Sequence, residues 1–144
     1  MTRSELVDAA VRAGLGSAES FKLSGDRLTN TETGRTYIAK LAKAASATQL
    51  IGEAEGLKRM WQTSNGLVPK LHAFEKIDNG DKALFISDYI NLGGMGGPAM
   101  TRLAEKMAYE LHNPDKQLDD VKGFGFPVPT HCGVTEQDNT WECV

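Results

Sequence analysis

Between residues 47 and 62 the chain changes its period. Runs of strand character lie on either side, whereas Leu50, Ala54, Leu57 and Trp61 recur at helical spacing until Asn65-Gly66 stops them. A helix set inside a series of strands constrains the fold strongly, because it must leave the sheet, cover one face and return. Before it stand residues 20–24, 26–31 and 35–41, short runs with aromatic or β-branched members parted by Gly25 and by Thr31-Glu32-Thr33-Gly34. After it, residues 70–77 and 83–90 flank the turn signal Asp78-Asn79-Gly80-Asp81, as a hairpin requires. The pattern predicts an α+β unit with a five-stranded antiparallel sheet and one inserted helix.

The flanking segments complete the plan. Thr2 and Glu5 fit a capping box, Leu6, Ala9, Ala10 and Ala13 form a stripe, and Gly14 stands where a helix would be capped. Gly93-Gly94-Met95-Gly96-Gly97-Pro98 reads as a flexible connector, followed by a third helical stripe of Met100, Leu103, Ala104, Met107, Ala108 and Leu111. From residue 113 onward no period holds, so an irregular tail is expected. The division predicted is 1–92 for the sheet unit and 93–144 for connector, helix and tail.

Composition narrows the class of protein. With 144 residues, 40% of them hydrophobic, the chain suffices for one ordinary core and not for two full-sized domains. A net charge of −3, with no long cluster of Lys and Arg, argues against nucleic acid or a membrane surface as partner. The N-terminal stretch carries acids and no window of about 18 apolar residues occurs, which predicts a cytoplasmic protein. Cys132 and Cys143, 11 apart beside His131, match neither a disulfide framework nor a zinc spacing and are expected as free thiols.

Candidate chemistry centres on Lys40 and Glu53. Projected at about 100° per residue, the stripe of the inserted helix leaves Glu53 roughly 60° from its middle and Glu55 nearer the opposite face. Glu53 is therefore expected at the sheet-facing margin and Glu55 in solvent. A lysine near the end of a third strand, 13 residues before such a glutamate, is the arrangement by which a kinase lobe holds an ATP phosphate against an amine. Spacing alone leaves open the plainer alternative, two solvated surface residues. Gly94-Met95-Gly96-Gly97-Pro98-Ala99 satisfies a loose dinucleotide-binding pattern, but Pro98 occupies its turn and no apolar strand with an acidic end follows. His112 beside the third stripe reads as a packed or capping histidine, and neighbouring His131 and Cys132 should point apart on extended chain.

The order of motifs carries a resemblance. Arg35-Thr36-Tyr37-Ile38-Ala39-Lys40, Gly52-Glu53-Ala54-Glu55-Gly56-Leu57, Leu84-Phe85-Ile86-Ser87-Asp88-Tyr89-Ile90, Leu103-Ala104-Glu105-Lys106-Met107-Ala108 with Leu111-His112, and Phe124-Gly125-Phe126 with Cys132-Gly133 and Gln137 together resemble the fructosamine kinase family. That family of ketosamine or protein-ribulosamine 3-kinases is a branch of the protein-kinase-like, aminoglycoside-phosphotransferase-like fold, so the resemblance implies a kinase N-lobe. It implies ATP and Mg2+ as cofactors, and phosphorylation of the sugar third hydroxyl of ketosamines on glycated proteins or small amines, a step in deglycation repair. It makes Lys40 the phosphate-binding lysine, Glu53 its helix partner, and Asp88, Tyr89 and Ile90 the hinge that meets adenine through the backbone.

Two departures accompany it. The glycine-rich loop between the first strands is reduced to Ser24-Gly25, and no His-Gly-Asp-type segment or later acidic metal ligand occurs. The expectation is a chain that carries the ATP-binding lobe with no catalytic residue of its own; the alternative is a non-catalytic nucleotide- or partner-binding module. Met100, Leu103, Met107, Leu111, Phe124, Phe126 and Trp141 would then be incompletely covered, which predicts self-association and a mobile tail after residue 113.

Overall fold

The computed structural model describes residues 3–94, 96–116, 118 and 125–139. Helix α1, Arg3–Arg12, leads into a meander of β1, Phe21–Ser24, β2, Arg27–Asn30, and β3, Thr36–Lys43. Helix α2, Ala45–Thr63, is inserted before the hairpin of β4, Leu71–Ile77, and β5, Lys82–Asp88. The five strands form one antiparallel sheet in the order β1-β2-β3-β5-β4. The fold is α+β and follows the sequence expectation, although β3 runs two residues further than its pattern and α2 begins two earlier. Thr2 of the expected capping box lies outside the described residues.

Strand parity assigns the two faces. Tyr37 and Ala39 of β3, Leu84 and Ile86 of β5, with Phe21 and Leu28, pack against Leu6, Val7, Ala9 and Ala10 of α1. The alternate set, Ala83 and Phe85 with Ile38, Ala42 and Phe74, packs against Ala47, Leu50 and Ala54 of α2. Strand β5 is thus buried on both sides, which is why residues 83–87 read as a continuous apolar run closed by a serine. The α1 side closes without strain: Gly14 takes φ +71°, and the Leu15 N–H donates to the Ala10 carbonyl at 3.0 Å, a Schellman-type end.

The third helical stripe forms a helix as expected, and the tail from residue 113, expected to be irregular, contains a short hairpin among its described residues. Helix α3, Pro98–Lys106, continues into one wide π turn over Met107–Leu111, and β6, Thr130–Cys132, pairs with β7, Thr135–Gln137, around Gly133 at φ +61°. Three-residue strands show no detectable alternation, and of the pair only β6 packs on α2 while β7 is exposed, so periodicity could not reveal them. The π turn places Glu110 where it accepts hydrogen bonds from Ser64 Oγ at 2.5 Å and Lys106 Nζ at 2.8 Å, tying α3 to the end of α2. Those partners, the lysine foremost, hold the Glu110 carboxyl below its ordinary value. Met100, Leu103 and Met107 are exposed as expected, Leu111 and Phe126 are half-buried, and Phe124 and Trp141 lie outside the described residues.

Candidate functional site

Lys40 reaches the α2 side because of its parity. It stands between Ile38 and Ala42, both of which pack toward α2, and opposite Phe85 in the β3–β5 register, with Nζ 5.4 Å from the ring centroid. Its Nζ donates to Glu53 Oε1 at 2.6 Å. The two side chains remain 38% and 39% exposed, so the bridge contributes only about 0–1 kcal/mol to stability. What it does provide is an ammonium of fixed position at the floor of an open cleft.

That cleft, of about 360 Å3, brings together all five residues singled out in the sequence: Lys40, Glu53, Asp88, Tyr89 and Ile90. Asp26, Ile38, Leu57 and Leu92 complete much of its wall. The ladder between β3 and β5 ends at Tyr37 opposite Asp88, so the backbone of Tyr89 and Ile90 runs on past the paired strand along the cleft. Ile90 and Leu92 are exposed, apolar surface available to a flat ring.

Asp88 differs from its sequence reading, in which only the backbone mattered. Its carboxylate accepts from the Lys70 N–H at 3.1 Å, pairs with His72 Nε2 at 2.7 Å and lies 3.7 Å from Arg35. Burial pushes this carboxyl up, yet the hydrogen bonds from His72 and Lys70, with the charges of His72 and Arg35, together hold it below its ordinary value. Asp88 therefore locks the cleft end of β5 to the start of β4. His72 was not recognised in the sequence. It is the extra residue where the β4–β5 register shifts between Leu71 and Ala73, and a bulge that re-aims a side chain leaves no compositional mark. Arg27, whose guanidinium lies 4.9 Å from the Tyr89 ring centroid, was also missed.

Glu55 is a correction. Expected in solvent, it is half-buried and accepts from Arg59 Nε at 2.7 Å, and is less exposed than Glu53. A single-helix projection counts only the sheet; here Arg59 pairs with Glu55 and lies 5.9 Å from the Phe126 ring centroid, so chain from beyond the sheet reaches this flank of α2. The reduced loop is a two-residue turn, Gly25-Asp26 between the paired Ser24 and Arg27, with Gly25 at φ +60°. His112 is exposed at the cap of the π turn, while His131 and Cys132 divide as expected, the imidazole 7% exposed and the thiol exposed and free.

An antiparallel sheet of this order, an inserted helix, and a strand lysine bridged to a helix glutamate beside the β5 exit define a protein-kinase-like fold. Comparison with known proteins agrees. The family model for fructosamine kinase matches residues 19–143, and the chain belongs to that family. It is 33% identical over 106 residues to a chloroplastic protein-ribulosamine 3-kinase of Arabidopsis thaliana, covering 74% of this chain and 31% of that protein. A protein of the same name from Oryza sativa subsp. indica is 36% identical over 90 residues, covering 62% of this chain and 25% of the rice protein. A crystal structure described as a candidate fructosamine-3-kinase from Haemophilus somnus 129PT superposes with a TM-score of 0.58 at 21% identity, over 85% of this chain and 40% of that one, and supports the fold. The chain thus spans about a third or less of the curated relatives. Among the described residues, no helix is long and apolar enough to cross a membrane.

Proposed function

We propose that the chain is the ATP-binding part of a kinase acting on protein-bound ketosamines, with residues 1–92 as the nucleotide lobe and 93–144 as the passage toward an acceptor-binding part. The observation that carries the reading is the 2.6 Å Lys40–Glu53 bridge in the cleft that also holds Asp88, Tyr89 and Ile90. The residues fit the nucleotide in kind: an ammonium for phosphate oxygens at one end, apolar side chains and backbone beyond the β3–β5 ladder for a base at the other. Bound ATP supplies the phosphoryl group. Lys40 orients its phosphates, Glu53 keeps Lys40 from turning to solvent, and the Asp88–His72 lock holds the base-binding edge in register. The two-residue Gly25-Asp26 turn is too short to wrap phosphate with backbone amides, so Lys40 bears most of the phosphate recognition.

Among the described residues, no group of three or more His, Cys, Asp and Glu side chains could hold a metal, and we expect the magnesium ligands outside this chain. The acceptor, a ribulosamine or fructosamine phosphorylated at its third hydroxyl, is proposed for the whole protein on the strength of the family. We expect the 144-residue chain to bind ATP and to release no ADP in response to acceptor. Titration calorimetry with ATP, on wild type and Lys40→Met, tests the reading. Equal affinities would overturn it, and acceptor-dependent ADP release abolished by Lys40→Met would place catalytic acids within this chain. Met100, Leu103 and Met107 are also assigned to self-association, read as a rise in scattering mass with concentration.

A further inference from the structure

The Lys40–Glu53 bridge is approached from behind by a segment that lines none of the nucleotide cleft. Residues 125–139 fold back onto α2, and they do so on the turn that carries Glu53. At Gly52, the residue before Glu53, an added Cβ would stand 2.8 Å from the Pro129 carbonyl oxygen and 3.4 Å from Thr130 Cα. Both are backbone atoms, unable to rotate away as a side chain can. Two turns further along, Arg59 bonds Glu55 and lies against Phe126. The segment is braced internally as well: Asn139 Nδ2 donates to the Val128 carbonyl at 3.1 Å and to Thr130 Oγ1 at 2.9 Å, and the Phe126 N–H donates to the Asn139 carbonyl at 3.2 Å.

The sheet holds α2 by apolar packing, to which Ile51 and Leu57 also contribute as partly buried side chains. Ala47, Leu50 and Ala54 are the fully buried apolar side chains the helix turns toward it, two of them single methyl groups. Apolar packing is non-directional, so a small roll of α2 disturbs it less than it disturbs a directional bridge of 2.6 Å.

We propose that the 125–139 segment is a positioning element for the Lys40–Glu53 bridge: seated in the Gly52 notch, it sets where α2 stands over β3, and hence whether Glu53 meets Lys40. The consequence for phosphate binding rests on the reading of the cleft given above. Gly52 and Asn139 act through α2 and touch no ligand.

Gly52→Ala and Gly56→Ala are a matched pair. Both exchange a helical glycine for alanine, but a Cβ at Gly56 meets only the flexible Met60 Cε at 4.0 Å. In the ligand-free chain, the rate at which Lys40 is acetylated by an amine-reactive reagent, followed by mass spectrometry, reads the bridge directly. Gly52→Ala is expected to raise it about fivefold and Gly56→Ala to leave it unchanged. Calorimetry then reads the split between ligands: Gly52→Ala weakens ATP about fivefold and adenosine hardly at all, and adds nothing in a Glu53→Gln background. Should Gly52→Ala not fold, Asn139→Ala releases the brace instead and is expected to act in the same direction. Unchanged Lys40 labelling in these variants, or equal losses of ATP and adenosine, would overturn the proposal. Faster labelling with ATP affinity indifferent to Lys40→Met would leave the positioning intact and sink the nucleotide reading.

Discussion

The two faces of the sheet are built to different standards. On the α1 side, ten buried residues make a continuous apolar layer, and the buried amide of Asn30 is engaged at both ends: Nδ2 donates to the Leu15 carbonyl at 2.9 Å, and Oδ1 accepts from the N–H groups of Glu32 and Thr33. On the α2 side, five buried residues surround an exposed ion pair, an open cleft and a strained entry, since Ala44 begins α2 at φ 50°, ψ −130°. Packing density follows duty. A layer with nothing to bind can be filled, whereas one that presents an ammonium must leave room and must take its rigidity from elsewhere, here from Gly52 and the hairpin behind it.

Truncation on the filled side should have the largest effect. Leu28→Ala, at a fully buried position, is expected to lower unfolding free energy by about 2–5 kcal/mol in urea, and to leave ATP affinity of the folded protein unchanged. A loss well under 1 kcal/mol would erase the contrast. Asn30→Ala comes next, at about 1–3 kcal/mol, because it strands the Leu15 carbonyl and two backbone N–H groups.

On the open side the signs separate. Lys40→Met should weaken ATP about tenfold, or about 1.4 kcal/mol, with stability changed by less than about 1 kcal/mol. A stability loss matching that of Leu28→Ala would make Lys40 a core residue and break the comparison. Ala44→Gly should stabilise the protein by about 1 kcal/mol, since glycine adopts that backbone freely; a loss would mean the strain is relieved in solution.

The smallest expected effect is on pH dependence. Asp88 is held below its ordinary value of 3.8, so its contribution to stability is present above that value and disappears as pH falls through the lower, folded one. Urea unfolding between about pH 2 and 5 should therefore show a shallower acid limb in Asp88→Asn than in wild type. Identical limbs would mean that the His72 and Lys70 bonds do not favour the charged form.

The amino-acid pattern by itself determined the sheet and the inserted helix, because each follows from a local period, two for the strand and 3.6 for the helix; it placed Glu53 at the sheet-facing margin, while spacing left the pairing with Lys40 open and the order of motifs selected it. Gly14, Gly25 and the Asp78-Asn79-Gly80 turn were legible for the same reason, since backbone at positive φ selects few residue types. Tertiary structure alone decided what depends on contacts between distant segments. The β4 bulge turns His72 onto Asp88, Phe126 lies against Arg59, the partner of Glu55, and the Pro129 carbonyl stands where a side chain at residue 52 would begin. A period reports the surface an element must bury; it carries no record of which remote stretch of chain arrives to bury it.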